Sequence, residues 1–343
     1  MPGSGERAYV YAKACGITGK SFIGKNRSKL TGLTRLSELD RLIFGTDARD
    51  LPERELLPDL ERRIINRNAK QIITIVNSFR TPPELLARMV RDFEYADLKR
   101  AINAAASGEP ALPERTEIGR FAAIDFSTYP HFDKMLTGTE FEFILGDIGD
   151  LRSRSGGSTA RIQSKLDRHY YTGLWNSLYK LAPSDRSSIE RILAEELSLR
   201  NAAWALRMRT YYGMSAEQTR EYLVCIPAHK NTSGVASPAD DALASLTMAL
   251  DSPADWARWR WVKFLNRPGE HWTADPRHFQ NAAAQYLYRL ARHSFRRKPF
   301  SLDTAACFIK LKLYEEDLLT SVAEGLSMGM GAQEILTMLE AAS

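Results

Sequence analysis

The stretch most suggestive of chemistry lies near the start of the chain. Gly16-Ile-Thr-Gly-Lys-Ser21 sets a lysine and a serine behind spaced glycines, the residue types that cradle a nucleotide's phosphates. The spacing does not serve that purpose. A phosphate loop reads GxxxxGK[ST], with enough chain between its glycines for backbone N–H groups to wrap the phosphates. Here the pattern is GxxGKS, and no buried strand precedes it. His131, His169, His229, His271, His278 and His293 stand apart, with neither the HxxxH nor the HExxH spacing that holds zinc. Cys15, Cys225 and Cys307 form no CxxC pair, so neither a zinc site nor a disulfide framework is expected, and a reducing compartment is the default. No GxSxG elbow occurs, and the carboxylates are not paired for acid/base work. These residues predict no catalytic site, no cofactor and no metal.

Nucleic acid is the next chemistry to weigh. Trp256-Ala-Arg-Trp-Arg-Trp-Val-Lys263 interleaves aromatic and basic residues, and Arg289, Arg292, Arg296, Arg297 and Lys298 add a second basic cluster. Stacking on bases and contact with phosphates use these residue types. On a helix, however, the tryptophans would divide between core and surface, and arginines lie along apolar faces with their heads in water. A helical nucleic-acid-binding protein is therefore the alternative function. The formal net charge of +5 is compatible with an anionic partner but identifies none.

The elements that would carry any site are helices. Around the stretch Glu195 to Tyr212, residues Leu193, Leu197, Trp204, Met208 and Tyr211 recur at helical steps. Asn201 falls in that stripe, and a buried carboxamide must find partners or cost a few kcal/mol. Glu196, Arg200 and Arg207 run beside it, with Glu196 and Arg200 in the favoured order for an i,i+4 pair. The same construction returns near the C-terminus. Asn201 precedes Gly213-Met-Ser-Ala216 at the distance at which Asp317 precedes Gly329-Met-Gly-Ala332, and Leu193, Leu197, Leu206 and Leu223 fall on Ile309, Leu313, Val322 and Leu339. A weaker copy sits at Phe93 to Leu98, around Asp97. The anchors Asp97, Asn201 and Asp317 are about 105 and 115 residues apart, too far for an ordinary solenoid and suited to three similar domains.

The 343 residues suit two or three domains, and 26% charged with 44% hydrophobic residues is a globular composition. Linkers are expected at Ala104 to Gly119 and Lys230 to Asp240, and a flexible basic loop at Gly149 to Thr159. Almost nothing alternates with period two, which predicts an all-α protein with helical lobes at 1–110, 111–230 and 231–343. Helices are expected at Leu56 to Phe79, Glu140 to Leu145, Leu166 to Leu181, Asp255 to Phe264, Phe279 to Phe295 and Leu302 to Leu326, while Phe121 to Phe132 suits a short strand or an irregular loop. No run approaches the length of a membrane span, and the N-terminus lacks the apolar core of a signal peptide.

Three segments together resemble a known family. Tyr9-Val-Tyr-Ala-Lys-Ala-Cys-Gly16 with Phe22-Ile-Gly-Lys25 is similar to its opening. Leu199-Arg-Asn-Ala-Ala-Trp-Ala-Leu-Arg-Met-Arg-Thr-Tyr-Tyr212 is similar to its middle signature, and Phe308-Ile-Lys-Leu-Lys312 with Glu315 and Asp317 to its closing one. The family is the d subunit of V-type ATPases, known as the C subunit in the archaeal and bacterial A/V-type enzymes. Ser198 stands where an acidic residue is expected, and Asp317 replaces an asparagine in the last copy. The resemblance implies a funnel of three helical lobes in pseudo-threefold arrangement, without catalytic activity. It implies a place on the cytoplasmic face of the membrane, between the proteolipid rotor ring and the central shaft, with ATP handled by other subunits. Asp97, Glu196, Arg200, Asn201, Arg207 and Asp317 would be structural anchors of the lobes. Arg152, Arg154, Trp256, Arg258 and Arg260 are the candidates for partner contact.

Overall fold

The computed structural model describes residues 3–149, 157–226, 237–266, 269 and 271–340. Among these residues every regular element is helical. In chain order the α-helices are α1 (Ser4–Thr18), α2 (Leu36–Phe44), α3 (Glu53–Val76), α4 (Glu84–Val90), α5 (Asp92–Ala106), α6 (Phe132–Leu136), α7 (Leu145–Gly149) and α8 (Gly157–Leu178). They continue with α9 (Pro183–Tyr212), α10 (Ala216–Tyr222), α11 (Asp240–Ser245), α12 (Pro253–Trp256), α13 (Pro276–Arg297), α14 (Leu302–Ser327) and α15 (Ala332–Glu340). The expectation of an all-α fold holds.

The helix ends follow from local chemistry. Pro183 opens α9 at a position where its missing N–H costs nothing, and Gly213 closes it in the left-handed region, φ 59°. Pro276 opens α13 behind Asp275, whose carboxylate accepts the Arg277 N–H at 2.9 Å. Arg296 and Arg297 then occupy its last turn, where the helix dipole favours cations. The left-handed glycines after α5, α9 and α14 are Gly108, Gly213 and Gly329, so the pairing of Gly213 with Gly329 extends to a third member.

The chain forms two compact units. One contains Met1–Pro82, Ser187–Ile192 and Ala249–Ser343, and is centred on α14. Helices α3, α13, α1 and α15 pack on α14. On α3 the buried residues Leu56, Leu60, Ile64, Asn68, Ile72 and Val76 fall every fourth position, a single ridge along the helix. Each fully buried leucine or isoleucine there contributes about 1.5–3 kcal/mol. Gly325 on α14 meets Ile335 of α15 so closely that a Cβ would collide with it.

The other unit contains Pro83–Arg186 and Leu193–Met248. Its α8 packs on α4 and α5, and Gly173 lets α8 approach the Arg88 guanidinium of α4. Ala205, Leu223, Ala242 and Leu246 form a small apolar cluster. The middle of α9 is buried at Leu197, Ser198, Leu199, Asn201, Ala202, Ala203, Ala205 and Leu206. The expected one-sided stripe is therefore corrected. Trp204 and Met208 are half-buried and Tyr211 is exposed, because small residues let α9 be enclosed on several sides.

Candidate functional site

On α5, α9 and α14 a buried polar side chain grips the backbone of a non-helical return segment. On α5, Glu94 accepts the Ala123 and Ile124 N–H groups at 2.6 and 2.8 Å, and Asp97 accepts the Thr116 N–H at 2.8 Å. On α9, Asn201 donates to the Val224 carbonyl at 3.0 Å and accepts the Val224 N–H at 2.9 Å. On α14, Glu315 accepts the Phe22 N–H at 2.8 Å. Each clamp removes an orphan backbone donor from an irregular segment that no ladder satisfies. Glu94 and Glu315 precede Gly108 and Gly329 by the same number of residues, so they occupy equivalent places on their helices.

The clamps are electrostatically distinct. Burial raises the Asp97 pKa to about 6, against the opposing pull of the Thr116 N–H and Arg100. Burial also raises the Glu94 pKa, and its second oxygen has no hydrogen-bond partner among the described residues. Glu315 is fully buried and pairs with the equally buried Lys312. The Lys312 carbonyl accepts from Asn68 at 3.2 Å, and burial lowers the Lys312 pKa even beside that carboxylate.

Of the expected anchors, Asp97 and Asn201 hold the clamps described above. Asp317 is exposed, whereas Glu315, two positions away and on the other side of the helix, is buried, as is Asp303 at the start of α14. Arg200 donates to Asp167 at 2.9 Å and to the Tyr171 hydroxyl at 3.2 Å, and that hydroxyl reaches Glu196 at 3.5 Å. Thus Glu196 and Arg200 belong to a network with α8. Arg207 is exposed.

Trp256 is fully buried, and Trp259 and Trp261 are nearly so. The Trp256 indole N–H donates to the Ala249 carbonyl at 2.7 Å, and Trp259 packs on Trp256 and Phe279. The expected helix from Asp255 to Phe264 is instead α12 followed by turns. Irregular backbone turns all three indoles inward, where a helix would have divided them. Trp256 is therefore withdrawn from the partner surface, and the stacking platform of the nucleic-acid alternative is absent from this stretch. Arg258 and Arg260 are exposed, with Arg260 over the Trp261 ring. Arg152 and Arg154 lie outside the described residues.

Gly16 to Ser21 forms the last turn of α1 and the turn after it. A helix C-terminus presents carbonyl oxygens, whereas phosphate is held by the N–H groups of an N-terminus. Phe121 to Phe132, open between strand and loop from sequence, is built of short turns held by Glu94. His169 Nδ1 lies 2.6 Å from the Tyr95 hydroxyl in an aromatic cluster, a hydrogen bond whose direction follows the tautomer. Among the described residues, no three His, Cys, Asp or Glu side chains are placed to share a metal ion, and no helix is long and apolar enough to cross a membrane.

Comparison with known proteins adds two findings. A sequence profile of the ATP synthase (C/AC39) subunit family matches residues 28–338. An uncharacterized protein of Treponema pallidum (strain Nichols) is 24% identical over 325 residues, 94% of this chain and 92% of that protein.

Proposed function

Because this chain belongs to the ATP synthase (C/AC39) subunit family, we propose that it is a non-catalytic rotor subunit of a V/A-type ATPase. It joins the membrane rotor ring to the central shaft on the cytoplasmic face during ATP-driven or ATP-forming transport of H+ or Na+. The three lobes of the proposal are 1–110, 111–230 and 231–343, carrying α5, α9 and α14 respectively.

The observation that carries the proposal is the recurring clamp. A part that passes torque must not store it as bending, so its irregular segments have to be tied to its helices. Buried carboxylate or carboxamide grips on peptide N–H groups supply such ties, since each resists opening by the cost of a buried unpaired donor. Glu94, Asn201 and Glu315 repeat the device along the chain, and the last of them ties α14 back to Phe22. Arg258 and Arg260 remain proposed partner contacts, where exposed charge sets orientation more than affinity.

The test is recovery of the tagged chain from detergent-solubilised membranes of its own organism. Proteolipid ring and shaft proteins should co-purify in stable ratio through high salt. Recovery of nucleic acid without ring or shaft would favour the alternative instead.

A further inference from the structure

Helix α13 carries no acidic residue anywhere along its length. Its apolar side, with Phe279, Ala282, Ala283, Tyr288, Ala291 and Phe295, is buried in the unit built on α14. Its outer side presents Arg289, Arg292, His293, Arg296 and Arg297, all exposed and together lining one open, shallow depression. Arg289, Arg292 and Arg296, and likewise Arg289, His293 and Arg297, stand three and four residues apart, so the five share one helical face as a basic stripe. None of the five makes an ion pair with a described residue, in a protein where Arg63, Arg88, Arg91 and Arg200 each find a carboxylate.

At the end of the stripe the chain turns at Phe300. This phenylalanine is held at φ 65°, a conformation costly for a bulky side chain, and it is 52% exposed. Tyr11 meets it edge-on at 5.2 Å and also lies within the field of Arg296, so the protruding ring stands beside the basic stripe.

We propose that the outer face of α13, with Phe300 at its end, is a docking surface for anionic phospholipid headgroups at a bilayer surface. Charge complementarity carries the choice. A row of unpaired arginines without interspersed acid is attracted to a dense layer of phosphates, and a single exposed aromatic ring inserts at the headgroup level. A protein partner would call for a buried apolar centre within a polar rim. This face has none, because its apolar residues point into the core. A single-stranded nucleic acid would call for several stacking rings, and Trp256, Trp259 and Trp261, which could supply them, are buried. Mobile lipids need no fixed complementarity, since each phosphate can move to meet an arginine. The surface rests on the exposed arginines and Phe300 and requires neither rotor ring nor shaft, so its failure would leave the rotor assignment untouched.

The experiment is co-sedimentation of the purified full chain with vesicles of mixed phosphatidylglycerol and phosphatidylcholine, and with phosphatidylcholine alone. Binding is expected only to the anionic vesicles and should fall steeply with added salt. Each basic residue near such a surface is worth about fivefold in affinity, so Arg292→Glu with Arg296→Glu should weaken binding by about 25-fold or more. Arg41→Glu with Arg54→Glu, at exposed positions on α2 and α3, changes the net charge equally and should have little effect. Phe300→Ser should weaken binding without altering its salt dependence. Equal binding to neutral vesicles, no binding to anionic ones at low salt, or equal damage from the control pair would overturn the proposal. So would tighter binding to a single-stranded oligonucleotide than to vesicles at the same salt. If the reversed pair does not fold, by its circular dichroism, the salt titration of the unmodified chain decides, and salt-independent binding overturns the proposal.

Discussion

Replacing Glu315 by leucine tests the buried clamp of α14 most sharply. The substitution keeps the volume roughly but removes two interactions at once. The Phe22 N–H loses its acceptor, a cost of about 1–3 kcal/mol that does not depend on pH. Lys312, 1% exposed, loses its counter-ion. A lone buried ammonium sheds its proton, because burial already lowers its pKa. The unfolded chain still binds that proton, so stability must rise with pH. At pH 7 the cost of holding the amine neutral approaches about 5 kcal/mol, from 1.36 kcal/mol per unit below the ordinary lysine value. At pH 9 the same cost is about 2 kcal/mol. Equilibrium unfolding in urea, followed by circular dichroism at both pH values, should therefore show the larger loss at pH 7. A loss that is small, or equal at the two pH values, would refute the reasoning. Changing both partners, Lys312→Met with Glu315→Leu, should recover the pH-dependent part and leave only the orphan N–H.

Three further outcomes are expected. The raised Asp97 pKa of about 6 stabilises the folded state below the unfolded value, and this contribution is lost as pH rises through 6. Asp97→Asn should therefore flatten the stability profile between pH 4 and 7 by about 2–3 kcal/mol, measured by thermal or urea unfolding. Asn201→Ala leaves both Val224 backbone groups without their partner, a loss of about 2–4 kcal/mol, and the Val224 amide should exchange with deuterium markedly faster. Gly325→Ala gains about 1 kcal/mol of helix propensity but crowds Ile335, which costs about 1–3 kcal/mol, so a net loss is expected. In a double-mutant cycle, Gly325→Ala with Ile335→Ala should lose less than the two single changes added together.

The helical character of the chain was legible because helical spacing leaves its mark on every long segment. The expected Leu302 to Leu326 and Leu56 to Phe79 agree closely with α14 and α3. Asn201 was legible as well, since a carboxamide among apolar neighbours has to be satisfied, and Val224 satisfies it. The burial of Glu315 was not legible, because Glu315, Glu316 and Asp317 stand in a row between apolar pairs. A gap-free shift matches the chemical type without revealing which side of the helix faces the core. The basic stripe of α13 was noted by composition, but the absence of pairing acids in space could not be read from the chain. The tryptophan segment misled for a different reason. Its turns are set by tertiary packing around Phe279 and Tyr286, and periodicity carries no information about an irregular path. The return segments at Phe22, Ile124 and Val224 have no local signature either, because their order comes from side chains distant in sequence.

The proposed role, transmission of motion without chemistry, has a direct test. Membranes from cells lacking it, supplied with ATP, should retain hydrolysis by the soluble catalytic part but pump no ions. Adding back the purified chain should restore pumping, while the chain alone hydrolyses no ATP. Normal pumping in its absence, or ATP hydrolysis by the isolated chain, would contradict the account.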